Sequence, residues 1–580
     1  MVTSFTANLF SEVFHLSPPT AESIVFDIAI ILIISAILAF IARLLRQPLI
    51  PAYVVAGLLI GPLVLGFVKN IELIYSLSEI GIAFLLFTAG LEISFKKIKE
   101  INLKKILFVG IIQVALIFAI GLSTASLFNL SLLQASYIGI VLAFGSTMVV
   151  IKLLADKGEL VTLHGRLILG ILLLQDLVAI VAIVIFMSGG FAVTPILAAF
   201  IKLILIVGIA ILLQKFILNP LFKFAARSTE LLFLSSLAIL FLFIILTYLT
   251  DLSIVIGAFI AGVILANSDF KPELESRISP LRDFFSILFF VALGMQIVFT
   301  GIGQKIGLFF FLIAGAIIIK PIITILLLRI GGYRPKTSFL TGFSLAQLSE
   351  FSLIIGMIGL GLGVLDISIF STIVLATIVT MAITPYLIKY KNSAYILFRK
   401  PMNLFGLLPV KENLEYINKS KKSILLIGAH RMGSVLVKRL ERIKDKLLVI
   451  DYNPEIINAL IKKKISCVYG DLGSPELLEN RNMNDFDLII STIPDHDDNI
   501  KLLRKIKARI DIQRKTKVIL TASRISETLD LYERGADYVI LPKVLAGEKL
   551  IDLLDDGKSD LKKLRQSHVR QLRRIHRILY

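Results

Sequence analysis

The 580-residue chain is 56% hydrophobic, with the excess in its first two thirds, which excludes a wholly soluble protein and implies a polytopic membrane protein with a soluble appendage. Its formal net charge of +19 lies mostly between hydrophobic runs, so it points to positive cytoplasmic loops and anionic lipid headgroups rather than to nucleic acid. The single cysteine, Cys467, excludes an intrachain disulfide and a cysteine-rich metal site, and the few histidines form no HExxH-type spacing.

Residues 1–23 carry no positive leader before an apolar run and read as an extracellular segment, not a cleaved signal peptide. Residues 24–390 then hold about thirteen apolar spans, near 24–42, 50–68, 73–94, 106–128, 132–154, 167–187, 193–214, 229–250, 252–268, 283–300, 306–328, 338–362 and 366–388. Each is close to the length that crosses hydrocarbon. Basic residues follow the odd-numbered spans: Arg43 and Arg46, Lys96 to Lys105, Lys152 to Arg166, Lys215 to Arg227, Lys271 to Arg282, and Arg329 to Lys336. The even-numbered breaks hold little beyond Lys69 and Lys305. The expectation is a multi-pass protein of the cell membrane, its N-terminus outside and its C-terminal region cytoplasmic.

Five spans carry notable polar groups. Glu79 and Glu92 lie near the two ends of the third and read first as interfacial residues. The fifth contains AFGSTMVV, with Gly145, Ser146 and Thr147, and the twelfth contains GFSLAQLSEFSLIIG, with Gln347, Ser349 and Glu350. Small and polar residues at mid-depth suggest helices that unwind where they line a cavity, in the pattern of inverted repeats around a midplane site. The eleventh holds Lys320 followed by Pro321. A lone ammonium there would lose its proton or find a carboxylate, and Asp176 and Glu350 are the candidate partners.

The sixth span, LILGILLLQDLVAIVAIVIFM, is the most telling. Its ionisable side chain, Asp176, has Gln175 beside it and stands about ten residues from either end, ~15 Å from both surfaces. An ionised carboxylate is costly at that depth, and structural contacts are more cheaply made from Ser, Thr or Asn, so Asp176 reads as a functional site.

Residues 391–420 read as a linker, and residues 421–545 change to alternating strands and helices: SILLIG, KLLVID, ISCVYGD, FDLIIST, KVILTA and ADYVILP are the strands. That alternation predicts a parallel, doubly wound, Rossmann-like sheet. The first turn places Gly428, His430 and Gly433 in the positions of GxGxxG, with Asp451 about 20 residues on. The turn's amides would face a phosphate and Asp451 a ribose hydroxyl. His430 replaces the glycine that lets a pyrophosphate approach, which leaves AMP or ATP, NAD(H) and no ligand all open. No second motif for hydride transfer is present, so a sensor is expected rather than an enzyme. Residues 546–580 form a basic tail with apolar residues at helical spacing, suited to a lipid surface, to a partner or to plain solvation.

These motifs carry a likeness. LSEIGIAFLLFTAGLEI, LAFGSTMVVIKLL, LLQDLVAI, RDFFSILFFVALGMQI and GFSLAQLSEFSLII resemble the Kef-type branch of the monovalent cation:proton antiporter superfamily. ILLIGAHRMG, LLVIDYNPE, CVYGDLGSPELL and ADYVILP resemble the RCK, or TrkA-N type, lobe that regulates potassium transport systems. The resemblance implies an all-α membrane domain with two crossing unwound helices, a homodimer, and a cytosolic nucleotide-binding domain. It implies that Asp176 binds proton and monovalent cation in turn, with Gln175, Ser146, Thr147, Lys320 and Glu350 around it. It places the nucleotide on Gly428, His430, Arg431, Gly433, Asp451 and Asp471. The Gln–Asp pair resembles potassium-type members, and one neutral neighbour implies electroneutral potassium/proton exchange gated by nucleotide. A sodium/proton antiporter of the same fold, or a nucleotide-gated channel, are the alternatives.

Overall fold

The computed structural model describes residues 21–68, 71–92, 103–187, 193–225, 228–266, 268, 270–299, 301–403, 414–418, 420–470, 486–508 and 516–555. The chain divides into two compact units, with the main boundary between Pro409 and Val410 and with the short stretch Val161–Leu163 grouped with the second.

The first unit is helical. Among the described residues ten helices are long and apolar enough to cross a membrane, and Leu49–Ile60, Ile254–Ala266 and Glu350–Gly361 are shorter apolar helices. Together they fall on the thirteen expected spans. Lipid offers no hydrophobic drive between helices, so close approach through small residues has to supply the packing. The contact of Leu49–Ile60 with Lys271–Met295 is of this kind: a Cβ on Gly57 would stand 2.0 Å from the carbonyl oxygen of Val291, and one on Gly294 2.1 Å from that of Val54. By contrast, Thr194–Leu218 is only 17% buried and turns large apolar side chains such as Ile204 and Ile211 outward.

Three spans that bear on the site depart from regular helix. The fifth divides into Leu132–Ala143 and Thr147–Asp156, and the twelfth into Pro335–Ser344 and Glu350–Gly361. In the eleventh, a π-helical turn at Gly315–Ile319 joins Ile302–Ala314 to Lys320–Ile330. Pro321 has no N–H to return to the preceding turn, so the helix widens there instead of closing its usual ladder.

The helix of the thirteenth span extends into the segment read as a linker from 391. The helix that begins at Ile367 continues to Asn403. Tyr395 is buried and packs beside Phe339, ring centroids 5.6 Å apart, which gives these last turns a core of their own. Residues 404–413 and 419 lie outside the described residues.

The second unit is a seven-stranded sheet: β1 (Glu415–Tyr416), β2 (Ile424–Ile427), β3 (Leu447–Asp451), β4 (Cys467–Tyr469), β5 (Leu488–Ser491), β6 (Lys517–Thr521) and β7 (Tyr538–Ile540), in the order β1-β4-β3-β2-β5-β6-β7. All pairings are parallel except β1 with β4. Strand β1 lies in the stretch read as linker; the six expected strands are the other six. The fully buried pattern of β3 is what a central parallel strand with helices on both faces requires. The order reverses at β2, between β3 and β5, and open α/β sheets present their ligand crevice at such a switch point. Of the basic tail, helix Pro542–Asp555 is described and residues 556–580 are not.

Candidate functional site

Two unwound stretches meet inside the helical unit. In the first, Phe144 and Ser146 take extended conformations, and Ser146 Oγ accepts the Val149 N–H at 3.3 Å to cap the helix beyond it. In the second, Ser349 Oγ accepts the Phe351 N–H at 3.1 Å. Unwinding frees backbone groups that hydrocarbon cannot solvate, so side chains must satisfy them. Lys320 Nζ donates to the carbonyl oxygens of Phe144, at 2.7 Å, and Gln347, at 2.5 Å. Gln347 Nε2 donates to Ser146 O at 2.9 Å, and Ser352 Oγ to Val141 O at 2.7 Å. Gln175 Oε1 accepts the Gly145 N–H at 3.0 Å, and Thr380 Oγ1 accepts the Leu348 N–H at 3.2 Å. Each break is thereby tied to the other and to helices on either side.

The dipoles conform to the same plan. Helices Thr147–Asp156 and Glu350–Gly361 begin at the breaks, and their positive N-terminal ends favour nearby carboxylates. Thr147 Oγ1 donates to Asp176 Oδ2 at 3.0 Å, and Glu350 is the first residue of the second helix. The fully buried Lys320 answers the C-terminal carbonyl of Leu132–Ala143 through Phe144.

Asp176, Glu350 and Thr147 line one small cavity with Glu92, Met148 and Leu85. Its volume of 10 Å³ is about one water-sized body. Glu350 is 5% exposed, and its Oε2 has no hydrogen-bond partner among the described residues. A second cavity, of 690 Å³, is lined by Arg43, Arg46, Lys152, Asp156, Arg282 and Asp283 among others, and it shares Glu92, Met148 and Leu85 with the first. Among the described residues no group of three or more His, Cys, Asp or Glu side chains is arranged to hold a resident metal ion.

Three of the residues read from the sequence therefore converge: Asp176, Thr147 and Glu350. Ser146 serves as helix cap and carbonyl acceptor. Gln175 turns away from the cavity, since its Nε2 donates to Gln113 at 3.3 Å, and Gln113 in turn donates to Thr324 at 2.8 Å. The expected pairing of Lys320 with Asp176 or Glu350 needs correction: its hydrogen bonds go to the two carbonyls, because the breaks leave acceptors nearer than either carboxylate. Glu92, read from its place near the span end as interfacial first and functional second, lies where the two cavities meet. Its signal was an acidic residue within an otherwise apolar run, TAGLEI.

In the α/β unit the turn after β2 has the fingerprint's shape. Gly428 adopts φ +83°, a conformation that glycine reaches without strain. A Cβ on Gly433 would lie 2.0 Å from Gly428 O, so the third glycine permits close helix–strand packing. Gly433→Ala is accordingly expected to cost about 1–3 kcal/mol through overpacking, read as a lower midpoint for the α/β unit's unfolding transition. Asp451 stands at the end of β3, 4% exposed, with Oδ2 accepting the Ala429 N–H at 2.6 Å and Oδ1 the Asn453 N–H at 2.7 Å. Burial pushes its carboxyl up while those two N–H groups pull it back. Both oxygens thus already brace the turn. His430 is exposed beside it. Arg431 opens the next helix, but its side chain, like the whole of Asp471, lies outside the described residues.

Interrupted helices around buried carboxylates, with a Rossmann-type lobe on the same chain, define a cation/proton antiporter carrying a regulatory domain. The chain belongs to the sodium/hydrogen exchanger family of transmembrane proteins, whose model matches residues 29–389, and a TrkA-N domain matches residues 424–542. It is 26% identical to a putative cation/proton antiporter, YbaL, of Escherichia coli over 90% of this chain and 96% of that one. It is 28% identical to a glutathione-regulated potassium-efflux system protein, KefC, of Salmonella schwarzengrund over 79% of this chain and 73% of that one. It is also 28% identical to K(+) efflux antiporter 5 of Arabidopsis thaliana, over 63% and 66%. Among solved structures, the sodium proton antiporter MjNhaP1 of Methanocaldococcus jannaschii superposes with a TM-score of 0.50 at 15% identity, over 66% of this chain and 99% of that one. That likeness concerns the fold.

Proposed function

We propose that the protein exchanges potassium for protons across the cell membrane, electroneutrally, with Asp176 holding proton and cation in turn. The observation that carries this reading is the placement of Asp176: 4% exposed, hydrogen-bonded to Thr147 at a helix N-terminus, in a cavity of about one water's size. Thr147 and Glu350 supply further oxygens around that space, and oxygen ligands suit a hard monovalent cation. The potassium preference rests on the Gln–Asp likeness and on the potassium-efflux relatives. Gln175 is neutral and holds Gly145, and Lys320 is engaged by carbonyls, so one carboxylate trades one proton for one cation.

The basic breaks face the cytoplasm in this reading, so the 690 Å³ cavity ringed by Arg43, Arg46, Lys152 and Arg282 is the cytoplasmic vestibule. The TrkA-N lobe regulates exchange by binding a nucleotide of the AMP, ATP or NAD(H) kind at the turn of Gly428, His430, Arg431 and Gly433, with Asp451 and Asp471 alongside. The protein works as a homodimer. Purified protein in proteoliposomes tests the core of this: exchange should run with potassium and be insensitive to an imposed membrane potential. Exchange with sodium alone would transfer the reading to a sodium/proton antiporter, and voltage-driven exchange would reveal a second titrating carboxylate.

A further inference from the structure

The long helix Ile367–Asn403 ends beside the α/β unit in sequence, and one short stretch of it is gripped by polar contacts. Lys391, wholly buried, pairs through Nζ with Glu159 Oε2. His164 Nε2 lies 3.1 Å from the same carboxylate oxygen and 3.5 Å from Lys391 Nζ. Lys157 Nζ donates to Ile388 O at 2.8 Å, and Gln47 Nε2 to Tyr386 Oη at 2.9 Å. All these contacts fall on residues 386–391, directly after Pro385, whose missing N–H weakens the helix ladder at that point.

The other side of the grip is the site itself. Lys157 is the C-cap of helix Thr147–Asp156, whose first residue holds Asp176. Glu159 opens the 3-10 turn after it, and His164 stands in the first turn of Leu163–Met187, the helix of Asp176. Asp176 is thirteen residues beyond Leu163, about 20 Å along one helix. The turn has little freedom: a Cβ on Gly165 would stand 2.1 Å from Glu159 O. Burial alone would push the Glu159 carboxyl up, yet the hydrogen bond with His164 and the charge of Lys391 hold it down to about 2. Replacing Glu159 by a neutral residue would strand the wholly buried Lys391 ammonium away from water.

We propose that Glu159, Lys391 and His164 form a clasp that couples the helix leading to the TrkA-N lobe with the two helices that carry Thr147 and Asp176. Movement of the lobe reaches the site by shifting residues 386–391 against the 157–164 connection, with Pro385 as the yielding point. This rests on the reading of the lobe as a regulator. A coupling free energy of ordinary size corresponds to about a 5- to 150-fold change in affinity between the two sites.

The test is a double-mutant cycle on the full-length protein in proteoliposomes, with exchange measured without and with AMP, ATP, NAD+ and NADH in turn. Glu159→Gln and Lys391→Met should each reduce the nucleotide's effect to near unity while exchange without nucleotide persists. The two losses should not add, and the exchanged pair Glu159→Lys with Lys391→Glu should recover part of the response. An unaltered nucleotide effect in the single variants, additive losses, or no recovery in the exchanged pair would overturn the clasp. Amide hydrogen exchange provides a second measurement: Lys391→Met should loosen residues 157–165 and also the break near Thr147. Should wild type respond to none of the four nucleotides, the gating reading fails by itself. The clasp is then judged on amide exchange, and loosening confined to residues 157–165 would refute it.

Discussion

Asp176→Asn is expected to reduce proton–cation exchange to the leak of empty liposomes. The substitution keeps the shape of the side chain and removes only its capacity to carry a charge or a proton. The amide oxygen would still accept from Thr147, so the cavity and the interrupted helix beside it should remain and the protein should stay monodisperse. Thr147→Val provides the graded companion. It deletes one hydrogen bond to the carboxylate, at 3.0 Å, in a buried site, where such a loss costs about 1–3 kcal/mol. Exchange in Thr147→Val should persist with a shifted pH profile, whereas Asp176→Asn should show no pH at which activity returns. Retained exchange in Asp176→Asn, measured with potassium and sodium separately, would move the substrate carboxylate to Glu350 or Glu92, which line the same cavity.

The membrane architecture was legible because hydrocarbon is an unforgiving solvent. Polar residues inside apolar runs have few structural excuses, so Asp176, Lys320, Glu350 and the Gly145–Thr147 break stood out from composition and position alone. The parallel sheet was equally legible, since alternation of strand and helix leaves few topologies. What one dimension could not supply was direction. Gln175 and Asp176 are neighbours in sequence, but successive helical residues point about 100° apart, and they serve different purposes: one braces Gly145 and the other faces the cavity. Glu92 was visible as an acidic residue near a span end, yet its position between two cavities depends on helices that are distant in the chain. Lys391 and Glu159 lie 232 residues apart, and nothing local to either marks the partner. Asp451 was visible in the sequence as the acid of the fingerprint, while its engagement with the Ala429 and Asn453 amides came only from the fold of the turn.

Lys320 separates two ideas about a deep cation. If it served as the charge partner of Asp176, Lys320→Met would leave the fold intact and move the pH dependence of exchange. The hydrogen bonds argue otherwise. Nζ joins Phe144 O of one break to Gln347 O of the other, and both acceptors are buried where water cannot replace the donor. Leaving two carbonyls unsatisfied costs about 2–6 kcal/mol at about 1–3 for each. Lys320→Met is therefore expected to lower the midpoint of thermal unfolding in detergent substantially, with exchange falling in proportion to the protein that remains folded and its pH profile unmoved. Lys320→Arg, which retains several donors in a broader, planar head, should fall between the two. An unchanged unfolding midpoint in Lys320→Met, together with a displaced pH profile, would show that the ammonium acts on Asp176 through charge and that the two breaks are held together by Gln347 and Ser352 without it.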